Sequence, residues 1–302
     1  MKRLLPLVTI PALALLLAQG CVSTDATSVR LKAFSQATQQ VTDGTKQAFD
    51  LVEARHFEAQ VQRAVVDFDA KGFSPSRVQP FLPPASREAR IEVLDALAQY
   101  SAKLADLVSS TQQAGVDSAS TAFATRLGEL NQSLARNSTF TGVAPLPAKD
   151  VQLIGVAVDA LASWLVRAKR DAGIKAAVAE MDPHITVICD ALLADMHTLS
   201  DQVARDYERC LQAEDQFILH GNLDAVAKRA EIRNLALLVV ESRKVASTFG
   251  AIEAGIGRLR DAHHELARSV DGDSAKLELL IQQLSAEARR LQAYQKSLAS
   301  GS

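Results

Sequence analysis

The stretch from Asn234 to Val270, NLALLVVESRKVASTFGAIEAGIGRLRDAHHELARSV, decides the fold. Within it Leu238, Val245, Ile252, Leu259 and Leu266 recur every seven residues, beside a second row of Phe249, Ile256, His263 and Val270. Two apolar positions per heptad place a continuous stripe along one side of a helix. The same rhythm precedes it. Cys189, Met196, Val203, Cys210 and Phe217 are seven apart, and Ile185, Leu192 and Leu199 form their companion row. It also follows, with Leu277, Leu284, Leu291 and Leu298 beside Ile281 and Ala288. Heptads sustained over this length predict long helices packed side by side at shallow angles.

Glycine and proline clusters divide the remainder. A first helix is expected over about 27–70, with Gly44 as its one candidate break and Leu31, Phe34, Val41, Ala48, Val52, Ala59 and Val66 at helical spacing. Pro75, Pro80, Pro83 and Pro84 then make a loop whose interior cannot be α-helical. Further helices are expected over about 86–113, lined by Leu94, Leu97, Leu104 and Val108, then over 118–136 and 149–180. Asp182-Pro183 reads as the start of a fifth helix, because Asp caps free N–H groups and Pro suits the first helical position. Gly221 ends that helix, Asn222 is available to cap a sixth reaching 270, and a turn at Asp271-Gly272-Asp273 leads to a seventh ending near 298. No alternating strand pattern is present. The expected fold is all-α: an elongated bundle of about seven mostly antiparallel helices with coiled-coil-like heptad packing. The sixth helix alone would run roughly 70 Å at about 1.5 Å per residue.

Composition agrees. Aromatic residues make up 5% of the 302, with one Trp, and Gly and Pro are sparse, a balance suited to helices in close contact. The formal charge of −2 becomes more acidic once Lys2 and Arg3 are removed, and there are no long runs of one sign. Nucleic acid is not an expected partner, since phosphate binding needs a basic surface.

The first twenty residues read as a leader: Lys2 and Arg3, an uncharged apolar stretch from Leu4 to Ala18, then Gln19 and Gly20 before Cys21. A basic start, an apolar core shorter than a membrane span and small residues at the cut describe an export signal. Leu17-Ala18-Gln19-Gly20-Cys21 resembles the lipobox of bacterial lipoproteins. That resemblance implies cleavage before Cys21, a diacylglycerol thioether on its sulfur and an acylated N-terminus. Several acyl chains together give stable anchoring. By analogy with that family, Val22 in place of Asp favours the outer membrane. The expected organisation is therefore a signal peptide over 1–20, a lipidated tether over 21–27, and an elongated helical domain over 28–302.

Candidates for chemistry are few. Cys189 and Cys210 fall 21 residues apart on one expected helix, roughly 31 Å, so they cannot form a disulfide within that helix and read as buried free thiols. Glu53 and His56 form a single Glu-x-x-His, where a di-iron bundle needs two and further carboxylates. Asp261, His263, His264 and Glu265 cluster, with His263 in the seam, where a polar residue commonly sets register. His184 and His197 lie thirteen residues apart and cannot share an ion. Nucleophile-elbow, phosphate-loop and zinc-helix motifs are absent from the sequence. Gly250, Gly255 and Gly257 read as points of close helix approach or local flexibility. Two apolar runs, Val151 to Val166 and Leu235 to Val240, are too short to span a membrane and default to core.

These readings converge on a lipid-anchored outer-membrane protein of the Gram-negative envelope facing the periplasm. Its helical bundle serves as a structural or protein-binding module, with an envelope protein or a second copy as partner. No cofactor, metal or catalytic residue is assigned. The alternatives are a ligand-sensing bundle with a polar pocket near His263, a membrane-active helical protein and an enzyme.

Overall fold

The computed structural model describes residues 19–108, 155–157, 160–161, 163–164, 174–269 and 274–299. Among these residues there are six α-helices and no strand. They are α1 (Gln19–Val66), a four-residue α2 (Phe68–Lys71), α3 (Pro84–Val108), α4 (Ile174–His220), α5 (Ala225–Ser269) and α6 (Ala275–Ala299), with a 3-10 turn at Pro75–Arg77. The all-α class is as expected. Residues 1–18 of the leader, the side chain of Cys21, the helix expected over 118–136, most of the Val151–Val166 run and the Asp271-Gly272-Asp273 turn lie outside the described residues.

Ion pairs and contacts fix the directions of the helices. Lys46 meets Asp95 and Glu53 meets Phe81, so α1 and α3 are antiparallel. Arg260 meets Asp190 and Lys244 meets Ser297, so α4, α5 and α6 alternate in direction. In contrast, α1 runs parallel to both α4 and α6, as shown by the pairs His56–Asp206 and Arg30–Glu278. Residues 21–27, read from composition as a tether, form early turns of α1.

The stripes face inward. Cys189, Met196, Val203 and Cys210 are buried on α4, Val245, Ile252, Leu259 and Leu266 on α5, and Leu277, Leu284 and Leu291 on α6. Each fully buried aliphatic side chain contributes about 1.5–3 kcal/mol, so these stripes dominate stability.

Four local expectations are corrected. Pro183 does not start a helix; it lies inside α4. Val178, Met181, Ile185 and Ile188 are all buried and step across Pro183 at helical spacing. Burying that continuous stripe outweighs the roughly 3 kcal/mol cost of an internal proline. Gly44 does not break α1. A Cβ there would lie 2.4 Å from Leu291 Cδ2, so the missing side chain lets α6 approach. Gly255 likewise sits against Val41, whereas Gly250 and Gly257 face open space. The cap of α5 is Asp224, not Asn222: its Oδ1 accepts from Val226 N at 2.9 Å and Ala227 N at 2.8 Å.

The fourth correction concerns Leu235 to Val240. It is not core: Leu237 and Val240 are exposed. Here α3 has not yet begun and the central cluster ends near Val52, Tyr207 and Val245. Beyond that level the described bundle narrows to the ends of α1 and α4, the start of α5 and the segment that joins α2 to Gln79. The stripe continues in sequence, but among the described residues fewer helices cover it, and Phe217 and Leu238 are only half-buried.

Candidate functional site

The strongest polar constellation in the core joins three helices. His263 on α5 is completely buried. Its Nδ1 lies 3.0 Å from Asp182 Oδ1 on α4, and its Nε2 lies 2.7 Å from the Tyr100 hydroxyl on α3. A carboxylate only accepts, so Nδ1 carries the proton, Nε2 accepts, and the Tyr100 O–H donates. The second Asp182 oxygen accepts from His264 Nδ1 at 2.8 Å, and His264 is exposed. Phe34 and Trp164 pack their rings against His263 and Tyr100.

The electrostatics follow from burial. Loss of solvent pushes the His263 pKa down against the pull of Asp182, and pushes the Tyr100 phenol well up. The hydrogen bond from His263 holds Asp182 below the usual carboxylate range, against desolvation. At neutral pH the chain is therefore neutral imidazole, carboxylate and phenol, with each buried donor and acceptor matched. Tyr100 is 1% exposed, so no substrate reaches its oxygen. This arrangement ties α3, α4 and α5 together in one register.

A second junction lies on the outer side of α1 and α4. Asp206 is buried and accepts from His56 Nδ1 at 3.0 Å through Oδ2. Arg63 and Arg209 approach its other oxygen at 3.6 and 3.7 Å. Burial opposes ionisation of Asp206, but the His56 hydrogen bond and the nearby cations hold its pKa below the ordinary value. Glu53, the other half of the Glu-x-x-His pair, points elsewhere. It accepts from the backbone N–H of Phe81 and Leu82 and secures the loop into α3. The pair therefore serves two separate structural contacts and does not converge.

The remaining candidates are also separated. His197 is exposed beside Asp201 and Glu253, away from His184. Glu265 bonds Lys276 and Ser274 across the α5–α6 connection. Cys189 and Cys210 are free and buried, as expected, and burial raises both thiol pKa values. Among the described residues no group of three metal-binding side chains converges.

Sequence reading missed Asp206 and the buried Arg90–Asp195 pair, in which two N–H groups meet two carboxylate oxygens at 2.5 and 2.6 Å. A signal was present. Asp206 continues the Ile185, Leu192, Leu199 row by one more heptad, and Asp195 lies three residues after Leu192 on the same face. A carboxylate in register with an apolar row indicates a buried partner.

The outer surface also carries a pattern. A groove of about 320 Å³ between α4 and α5 is lined by the apolar Val203, Leu211, Val245 and Phe249 together with polar groups that include Glu208 and Arg243. Beyond it, Leu219, Val226, Ile232, Leu237 and Val240 are exposed at the narrow end, with Val226 80% exposed. Val226, Leu237 and Val240 share one side of α5, being eleven and three residues apart. No helix among the described residues is long and apolar enough to cross a membrane. Comparison with protein-family models, curated proteins and solved structures finds no match to this chain.

Proposed function

We propose that this chain is a lipid-anchored lipoprotein of the Gram-negative envelope whose helical bundle acts as a structural or protein-binding module. Cys21 carries the lipid at one end of α1, and the heptad stripes pack the helices in a coiled-coil-like manner into a stiff spacer. The observation that carries this reading is the position of the exposed apolar side chains. They concentrate where α4 ends and α5 begins, beside the end of α1 opposite to Cys21. From Cys21 to Val66 the helix rises roughly 70 Å. Exposed apolar side chains gathered at one end of the described helices support an interaction site there. A partner helix laid along α5 would meet Val226, Leu237 and Val240 at helical spacing, the mode in which a helix occupies a groove. Recognition, not catalysis, is the proposed activity.

The test has two parts. Cys21→Ser should release the protein from the outer-membrane fraction, and mass spectrometry of the wild-type N-terminal peptide should show three acyl chains. A photo-crosslinker at Leu237 or Val240 should capture an envelope protein or a second copy in cells, while one at exposed Lys175 near the other end should not. An unlipidated Cys21 removes the anchor from the proposal. Equal capture from both positions, or none, removes the docking surface.

A ligand-sensing bundle is the second reading, supported by the polar groups that surround His263. Their mutual saturation, with a hydrogen bond on each nitrogen of His263, favours the spacer reading.

A further inference from the structure

The groove between α4 and α5 has walls of opposite charge. On α4, Asp201, Glu208 and Asp215 are exposed and recur every seven residues. Asp201 is engaged by His197 at 3.8 Å, and His197 also lies 3.9 Å from Glu253 on α5, which closes that end of the groove. Glu208 accepts one long hydrogen bond, 3.5 Å from Gln212. Among the described residues neither Glu208 nor Asp215 has an ion pair. The cations of this stretch of α4 turn the other way. Arg205 bonds Gln202 and Arg209 pairs with Asp206, both in the cleft toward α1.

On the α5 wall the sign is reversed. Arg243 is exposed, lines the groove with Glu208, and has no ion pair among the described residues. Arg229 lies two heptads earlier on the same line and is exposed as well. The acids of this stretch are turned inward and engaged: Glu241 pairs with Arg55 on α1, and Glu231 accepts from Asn234 and faces Glu214. Glu208 and Arg243 thus stand on opposite walls of one groove, farther apart than an ion pair.

Apolar rows run between the charged ones at the same spacing. Ala204, Leu211 and Ile218 follow one another on α4, and Ile232, Val239 and Ala246 on α5. They lie beside the inward seams rather than in them: Ala204, Ile232 and Ala246 are exposed, and Leu211 and Val239 are half-buried. An apolar row edged by charge is how one coiled-coil helix selects another, with the flanking charges setting orientation.

The charge pattern identifies the occupant. A two-fold axis over the groove and parallel to the helices lays α4 of one copy on α5 of the other at the same level. Each Glu208 then meets the other copy's Arg243, twice per pair of chains, and the apolar rows face each other between them. An axis across the helices would set acid against acid. Residues 200–219 run roughly 30 Å, and two helices are about 20 Å wide, so each copy buries about 600 Å², the lower bound of a specific interface.

We propose that a second copy of this chain occupies the groove, in a symmetric dimer whose α4–α5 hairpins form a four-helix layer held in register by reciprocal Glu208–Arg243 pairs. Val226, Leu237 and Val240 lie at least a third of a turn around α5 from Ala246, so the docking surface at the narrow end is separate from this one.

The test mixes two forms of the full chain, purified in non-ionic detergent. One carries Ala204→Cys, the other a tag and Ala246→Cys, and the mixture is oxidised with copper phenanthroline. The two positions face each other across the axis, so a disulfide joining the tagged and untagged chains is expected. Gln292→Cys, exposed on α6, in place of Ala246→Cys should give none. Adding Glu208→Arg to the first chain should reduce the product by about tenfold, because it sets like charges together. Adding Arg243→Glu to the second chain should then restore it, which a groove filled by another segment of the same chain or by a different protein would not do. All substituted positions are exposed, and circular dichroism will show that the variants fold. A product no greater than with Gln292→Cys, insensitivity to Glu208→Arg, or failure of Arg243→Glu to restore it each overturns the proposal. Capture by a crosslinker at Leu237 or Val240 is read separately, so either surface can fail without the other.

Discussion

Replacing Asp182 by Ala tests the buried chain from Tyr100 to His264. The substitution removes the acceptor of two imidazole N–H groups, and their costs differ. His264 is more than half exposed, and water replaces its lost partner, so that contribution is within about 0.5 kcal/mol. His263 is fully buried, and its Nδ1–H would be left without a partner. An orphaned buried donor costs about 1–3 kcal/mol. Asp182→Ala should therefore lower unfolding free energy by about 2 kcal/mol, against about 0.5 or less for His264→Ala. Urea unfolding followed by helical circular dichroism at pH 8 gives both values. The pH dependence carries the second half of the prediction. Burial lowers the pKa of His263, so as pH falls the unfolded chain takes up that proton first. The contribution of His263 is complete above its ordinary value of 6.5 and is lost as pH falls from there toward the folded value. That corresponds to a limiting slope of about 1.4 kcal/mol per pH unit for one proton. Asp182 is also lowered, and its contribution is lost further down, beginning near 3.8. His263→Gln should flatten the slope below pH 6.5 and leave the more acidic loss. Equal costs for Asp182→Ala and His264→Ala, or an unchanged slope in His263→Gln, would refute this account.

Three further outcomes are expected. Asp195→Ala removes the carboxylate that neutralises the Arg90 guanidinium, which is 2% exposed, and should cost about 3–5 kcal/mol in urea unfolding, whereas the double change Arg90→Met with Asp195→Leu should recover most of that loss. Gly44→Ala drives a methyl group into Leu291 and should cost about 1–3 kcal/mol by thermal melting, while Gly250→Ala, facing open space, should be neutral or slightly stabilising. Both Cys189 and Cys210 should resist a maleimide in the native state at pH 8 and react fully in urea, because each is buried and its thiolate disfavoured. Rapid native labelling of Cys189 would contradict its place in the core.

How much of this was legible in the sequence depends on how local the cause is. The heptads of α4, α5 and α6 named the buried side chains because period and burial coincide wherever neighbouring helices are complete. The length of α5 followed from the same pattern. Pro183 was misread because its local preference for a helix start competes with a stripe whose burial depends on α5 and α1. Leu237 and Val240 were misread for the opposite reason. Their composition is that of a core helix, but coverage is a property of where other helices end, which no window of sequence records. The register of Asp206 was legible in the heptad row, but its pairing with His56 was not, because the two are 150 residues apart and meet only through the parallel alignment of α1 with α4.

The narrowing of the bundle also decides where the molecule opens first. Backbone amides near Ile252 and Leu259 lie among fully covered neighbours, while those from 225 to 240 belong to helices with one flank in water. Local opening follows that difference. Deuterium should enter the α4–α5 tip and the end of α1 minutes to hours before it enters the level of His263, and limited proteolysis should nick the α4–α5 connection near Gly221 before it cuts the helices at the level of His263. If the tip is what a partner grips, its association should be readable as slowed exchange confined to that end, a gradient along the helices rather than a footprint on one face.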